Sequence, residues 1–152
     1  MNQQIEQLDG FADEPTREML QSLIDKKRKF DKYKTLCLRW QIFTFLSVLS
    51  FMAYFYFIIL HPGDSNLSIL LGQFTGDEMH IFFLVAIVAG YGSALHCKKK
   101  EEKAETEYHK LRCEVITKSP DLWPKPFLWK KRHEVFKVMK KEFDINLFYE
   151  SK

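Results

Sequence analysis

A run of 19 residues without a charged side chain, residues 42–60, limits what this chain can fold into more than any other feature. As an α-helix the run is about 28 Å long, close to the hydrocarbon thickness of a bilayer. A second apolar run, residues 81–95, reaches a spanning length when its neighbours are included. A buried helix of a soluble protein is the alternative, but such a helix seldom spares its whole circumference from charge. We therefore predict transmembrane helices at about residues 40–60 and 79–97.

Basic residues precede the first apolar run and follow the second. Seven of them fall between Lys26 and Arg39, and four more between Lys98 and Lys103, whereas the segment that joins the runs has no Lys or Arg. Cationic flanks stay on the cytoplasmic side of a membrane. We therefore predict a multi-pass protein of the plasma membrane, with both termini in the cytoplasm and an outer turn between the spans.

A heptad spacing extends both predicted spans into the cytoplasm. Mostly apolar residues recur at alternating steps of four and three from Met19 to Thr44, and again from Ala94 to Val115. Two seams of this kind, joined by a short reversal, favour packing on each other, with residue numbers that add up to about 135 in each facing pair. We predict a helical hairpin over residues 15–118 whose cytoplasmic part is an antiparallel coiled coil. Packing of each seam on a different subunit is the alternative.

The two ends of the chain are predicted to differ from the hairpin. Residues 1–14 are polar and acidic, unlike a cleavable leader, so the first span is expected to serve as its own insertion signal. Residues 119–152 begin with three closely spaced prolines, which favour an extended corner, and continue as an amphipathic helix from Phe127 to Glu142. The predicted fold is therefore all-α: a membrane protein with a two-span transmembrane hairpin, a cytoplasmic antiparallel coiled coil and a C-terminal amphipathic helix.

The outer turn holds the main candidate for a chemical site. Two imidazoles and three carboxylates there offer the atoms that bind a divalent cation, although their spacing matches no ligand motif and helix capping explains the acids. On the cytoplasmic side no Gly-rich loop or nucleophile motif accompanies the histidines and cysteines, and no cofactor is predicted. A small membrane enzyme or metal-binding protein is therefore the alternative interpretation. The candidate metal ligands are His61, Asp64, Asp77, Glu78 and His80.

Two other patterns indicate contact rather than catalysis. Small residues at steps of four in the second span allow two helix backbones to approach, and a basic face on the last helix suits anionic headgroups or an acidic partner. We predict a non-enzymatic protein that contacts itself or an unidentified membrane or cytoplasmic protein. Membrane topology explains the lysine clusters, so nucleic acid is not a predicted partner. The small residues are Ala86, Gly90 and Ala94; the basic residues are Lys130, Lys137, Lys140 and Lys141.

Self-contact is predicted to give a homodimer. In lipid, close backbone packing must supply the attraction between helices, and the small-residue line of the second span offers it. A two-helix hairpin of this length also leaves Leu20, Ile24 and Ile116 uncovered, unless the C-terminal helix covers some of them. We expect the dimer to use the second span or these apolar flanks.

The two spans, the basic cytoplasmic hairpin and the ending of the chain together carry a resemblance. Within the ending, the motifs concerned are Trp123-Pro124 and Asp144-Ile145-Asn146-Leu147. In these features, which extend over most of its length, the chain resembles a family of small uncharacterised two-span membrane proteins of Gram-positive, spore-forming bacteria. That family has no assigned activity, so the resemblance implies the topology and implies no function.

Overall fold

The computed structural model describes residues 10–60, 67–76 and 78–149, and every regular element within them is a helix. The prediction of an all-α chain is confirmed to this extent. The elements are α1 (Glu14–Tyr54), a π-helical segment (Phe55–Leu60), α2 (Leu67–Gly76), α3 (Glu78–Thr117), α4 (Ser119–Leu122) and α5 (Phe127–Phe143).

Both connections between the long helices contain a helical segment that the sequence did not predict. Residues 61–78, expected to be a turn, contain α2, whose Ile69-Leu70-Leu71 run favours a helix more than its glycines oppose it. The proline-rich corner, expected to be extended, begins with the single turn α4. Proline is compatible with that turn because Pro120 lies in its first positions, where a helix needs no N–H donor.

The chain divides into two compact units, each of which is described separately below. The terminal unit comprises Met1–Lys32 and Glu101–Lys152, and the central unit comprises Tyr33–Lys100. The terminal unit therefore contains α1 up to Lys32, α3 from Glu101 onward, α4 and α5.

An apolar core fills the terminal unit and draws on both ends of the chain. The Trp123 ring is fully buried, and its Nε1–H donates a hydrogen bond to the Phe11 carbonyl oxygen at 3.1 Å. Each large aliphatic side chain buried in this way contributes about 1.5–3 kcal/mol. The core side chains are Ala12, Leu20, Leu23, Ile24, Tyr108, Val115, Trp123, Val135, Phe136, Met139, Ile145 and Leu147.

The flanks that were expected to be available for a dimer are covered within the chain. Leu20 and Ile24 are 0% and 1% exposed, in the same core as Val135 and Met139 of α5. Ile116 is half-buried against this core. The C-terminal helix and tail therefore provide a third layer over the first and third helices of the terminal unit.

Helices α1 and α3 contact each other along the terminal unit. The rings of Phe30 and Tyr108 are stacked, with centroids 6.2 Å apart and planes 8° from parallel. The Lys26 ammonium lies 3.4 Å from a carboxylate oxygen of Glu107, and the Lys27 ammonium lies over both stacked rings at 5.7 and 5.8 Å. The heptad positions of the two seams in this unit are all buried or half-buried.

The central unit has aromatic contacts on its inside and apolar side chains on its outside. The Phe83 ring contacts Phe51 at 6.1 Å and Tyr54 at 5.9 Å between centroids. Two helices of the chain, Glu14–Phe57 and Glu78–Thr117, are long and apolar enough to cross a membrane. Only 6% and 22% of their respective apolar windows is buried within the protein, so most of each window faces outward.

Candidate functional site

The small-residue line of the predicted second span packs inside the chain. Gly90 and Ala94 are buried and Ala86 is half-buried. A Cβ atom on Gly90 would lie 2.9 Å from the Thr44 hydroxyl oxygen, closer than van der Waals contact allows, and 3.4 Å from the Phe43 ring. Glycine at this position lets α1 and α3 approach each other within one chain, so its surface is already occupied.

The candidate metal ligands of the outer turn lie partly outside the described residues. His61, Asp64 and Asp77 are among those outside, while Glu78 is exposed at the start of α3. Within the part of the chain that the structure describes, no group of three His, Cys, Asp or Glu side chains is placed to hold a metal ion. Glu78 instead provides negative charge near the N-terminal end of a helix dipole.

His80, the remaining candidate ligand, is enclosed by aromatic rings and only 2% exposed. Its Nδ1 lies 3.0 Å from the Phe74 carbonyl oxygen, which accepts a hydrogen bond, so the ring proton belongs on that nitrogen. The imidazole is stacked on Phe74 at 5.0 Å and contacts Tyr54 at 5.3 Å between centroids. His80 thus fastens α2 to α3. Its Nε2 is buried and has no hydrogen-bond partner among the described residues.

The basic face predicted for the last helix is present on α5. Lys130, Lys137, Lys140 and Lys141 are exposed, whereas the opposite face of the helix buries its apolar side chains. The Lys137 ammonium is 3.0 Å from a Glu134 carboxylate oxygen, and that of Lys141 is 3.9 Å from Glu142. The four lysines therefore form a solvated surface that an anion can approach.

Phe127 is a candidate contact residue that the sequence interpretation missed. It is 84% exposed at the first position of α5. The neighbouring Trp129 ring is covered by the Arg132 guanidinium, 3.8 Å from the ring centroid, and by the Lys125 ammonium at 5.2 Å. No signal in the sequence indicated this exposure, because Phe127 and the buried Val135 are eight residues apart, a spacing that belongs to one apolar face of a helix.

Ionisable groups on α3 respond to the α1 side chains that contact them. The hydrogen bond from Lys26, together with the charge of Lys29, lowers the pKa of Glu107 below its ordinary value. Burial raises the pKa of the neighbouring Tyr108. Through its contacts with Lys26 and Lys29, Glu107 is an electrostatic link between α1 and α3.

Comparison with known proteins places the chain among uncharacterised relatives. The family model described as "Protein of unknown function (DUF2663)" matches residues 19–150. The chain is 42% identical over 146 residues to the uncharacterized protein YpbF of Bacillus subtilis strain 168, and the match covers 96% of each chain. No solved structure matches the chain. The resemblance to an uncharacterised family of Gram-positive bacteria is thereby confirmed.

Proposed function

The chain belongs to the DUF2663 family of proteins of unknown function, and on that premise we propose that it is a non-enzymatic integral membrane protein that works by contacting other proteins. In this proposal the central unit crosses the plasma membrane twice, with both termini in the cytoplasm. The charge distribution supports the orientation, because Lys and Arg flank both apolar runs and are absent from residues 61–78.

The outward-facing apolar surface of the central unit carries the proposal. Phe45, Phe82 and Val88 are 63%, 68% and 69% exposed. Leaving a side chain of this kind in water forgoes about 1.5–3 kcal/mol of burial, and soluble monomers rarely expose apolar patches larger than a few hundred Å². Lipid tails remove that cost, because they solvate apolar side chains without ordering water.

Contacts within each unit support an antiparallel hairpin as the architecture. Lys26 contacts Glu107 in the terminal unit, and Phe51 contacts Phe83 in the central unit. The residue numbers add up to 133 in the first pair and 134 in the second. A nearly constant sum is what two antiparallel helices joined by a reversal require.

The proposed contact with a cytoplasmic protein uses Phe127 and the cations around it. In the terminal unit most large apolar side chains are in the core, so an aromatic ring that is 84% exposed is unusual there. Lys125 and Lys130 are exposed beside it. Aromatic residues surrounded by Arg and Lys suit a partner surface that offers an apolar pocket with an acidic rim.

The proposed homodimer cannot use the Gly90 surface of the second span or the flank residues Leu20 and Ile24, because these are covered within the chain. Gly90 packs on Thr44, and Leu20 and Ile24 lie in the core, all within one chain. The exposed faces of the two spans remain, for example around Phe82. Light scattering of the chain in nanodiscs tests self-contact: a mass of two chains supports it, and a mass of one chain excludes it.

The membrane proposal is tested by fractionation of cells that express the intact chain. We expect the protein to sediment with membranes, to remain there after washes with high salt and with alkaline carbonate, and to be released by detergent. A protein bound only through its lysines would be released by high salt, because screening weakens such contacts. Release by salt or carbonate would therefore contradict integral insertion.

The contact proposal is tested with a photo-crosslinking amino acid placed at single positions. Replacing Phe127 should yield a crosslinked protein of one dominant mass in cells, and replacing exposed Glu134 on the same helix should not. The adduct should disappear when Lys125 and Lys130 are changed to Gln. Equal, heterogeneous crosslinking from both positions would show that Phe127 has no specific partner.

A further inference from the structure

The C-terminal tail and α5 together border a surface cavity of about 590 Å³ in the terminal unit, which is open to solvent. Its size is within the range of small-molecule pockets, about 300–1,000 Å³. One ring, one imidazole and three ammonium groups surround it. The lining residues are His133, Lys137, Lys140, Lys141 and Phe148.

The tail that forms one wall of this cavity is held in a defined path. Asp144 adopts a left-handed conformation, with φ of 56°, which ends α5 and reverses the chain. The Ile145 N–H then donates to the Met139 carbonyl oxygen at 3.0 Å. Ile145 and Leu147 are 0% and 1% exposed, so they anchor the tail in the core. The wall is therefore part of the folded unit and not a loose end.

Two further hydrogen bonds fix Asn146, which precedes the cavity-lining Phe148 by two residues. The Asn146 side-chain oxygen accepts a hydrogen bond from the Phe148 N–H at 3.0 Å, which makes a local turn. The Asn146 carbonyl oxygen accepts one from the Arg112 guanidinium of α3 at 3.4 Å. These contacts give the Asp144-Ile145-Asn146-Leu147 motif a structural reason: it aims Phe148 back at α5.

Phe148 supplies an aromatic wall between the basic groups. Its ring meets the His133 imidazole edge-on at 5.3 Å and the buried Phe136 ring at 5.5 Å between centroids. The packing leaves Phe148 half-buried, with the remainder of its surface in the cavity. An apolar or flat part of a ligand would therefore contact Phe148 while its charged part meets the lysines.

The charge of the cavity favours an anion. Three lysines line it, and two of them have an ion-pair partner among the described residues: Lys137 lies 3.0 Å from Glu134 and Lys141 lies 3.9 Å from Glu142. Three ammonium groups against two carboxylates leave a net positive charge even when His133 is neutral. Several ammonium N–H donors that line one cavity suit the oxygen atoms of a phosphate group.

We infer that this cavity binds a phosphate ester, with the phosphate on the lysines and the organic part against Phe148. The cavity is larger than a phosphate ion needs, which favours an ester over the free ion. The ester can be a soluble metabolite or the headgroup of a phospholipid. Lys137, Lys140 and Lys141 thereby have a specific class of ligand. The cavity lies in the terminal unit, so this binding does not depend on whether the central unit is in a bilayer.

Binding is tested on the intact chain in neutral detergent, with adenosine monophosphate, inorganic phosphate and adenosine as probes. We expect the monophosphate to bind and to raise the melting temperature, inorganic phosphate to bind more weakly, and adenosine to have no effect. Changing Lys137 and Lys140 together to Gln should weaken binding of the monophosphate about tenfold, because each removes one charged donor. Lys130→Gln, on the same helix but outside the cavity, should leave binding unchanged.

A second set of measurements identifies the source of the phosphate and provides other variants in case the double lysine variant does not fold. If the double variant does not fold, His133→Gln should still weaken binding, and Phe148→Leu should reduce the preference for the monophosphate over inorganic phosphate. In nanodiscs of phosphatidylcholine, added phosphatidylglycerol should displace the monophosphate if a headgroup occupies the cavity, and should not if the ligand is soluble. Absence of binding at millimolar probe, or equal weakening by Lys130→Gln, overturns the inference.

Discussion

The terminal and central units place their apolar side chains in opposite ways. In the terminal unit Leu20 and Leu23 are fully buried, whereas in the central unit Leu46 and Phe45, on the same helix α1, are 55% and 63% exposed. Charged residues are absent from residues 42–60 of the central unit. If the central unit is in the membrane as proposed, each unit is arranged for a different solvent, water for the first and hydrocarbon for the second.

The comparison also shows that one helix pair is completed in two ways. The same heptad seam runs along α1 and α3 in both units, and its positions are buried or half-buried throughout. In the terminal unit α5 and the tail cover the flanks of that pair with Val135, Met139 and Ile145. In the central unit the flanks remain exposed. In the proposed membrane arrangement, a third protein layer is needed only in the terminal unit, where water would otherwise contact the flanks.

The largest effect is expected from a pair of leucine truncations on α1. Leu23→Ala should lower the free energy of unfolding by about 2–5 kcal/mol, because it leaves a cavity in a fully buried position. Leu46→Ala should lower the free energy of unfolding in detergent by less than about 0.5 kcal/mol, since more than half of the Leu46 side chain is exposed. Thermal and chemical unfolding of both variants measures the difference. Equal losses would remove the distinction between the units.

A smaller effect is expected from alanine at two glycines of the central unit. Gly90→Ala should cost about 1–3 kcal/mol, because its Cβ would meet the Thr44 hydroxyl oxygen at 2.9 Å. Gly92→Ala should be neutral or stabilising by up to about 1 kcal/mol, since no atom lies within 4 Å of that Cβ. Unfolding in detergent reports both. If Gly90→Ala is tolerated as well as Gly92→Ala, the close contact between the helices is not needed.

The smallest effect concerns the charges that link the helices of the terminal unit. The folded pKa of Glu107 is below its ordinary value of 4.5, so its contribution to stability is complete above that pH and is lost as the pH falls through the lower, folded value. The carboxylate is exposed to solvent, so the loss is small. Comparing the pH dependence of stability in the native chain and in Glu107→Gln isolates it. An identical decline in both would exclude Glu107 as its source.

The heptad periodicity of the sequence predicted which residues of α1 and α3 are buried. The steps of four and three place Leu23, Tyr108 and Val115 on the repeating seams, and all three are buried in the structure. The cover over Leu20 could not be predicted in the same way. It depends on a reversal at Asp144 and on Asn146, and no repeat in the sequence encodes which surface such a tail meets.

The candidate sites show the same limit. The lysine face of α5 follows from helical spacing, and so does the small-residue line of α3. The partner of Gly90 does not follow, since the small-residue pattern states only that a helix approaches and not which one. The cavity beside Lys140 also requires Phe148 to fold back, which depends on tertiary contacts of the tail.

Cysteine accessibility in intact cells tests most directly the claim that the central unit crosses a membrane twice. Single cysteines at Asn66, Gln4 and Ser151 are introduced into a chain whose native Cys37, Cys97 and Cys113 have been replaced. An impermeant thiol reagent should label only the cysteine at Asn66, and all three should react after the cells are opened. Labelling at Gln4 or Ser151 in intact cells, or none at Asn66, would contradict the two-span account.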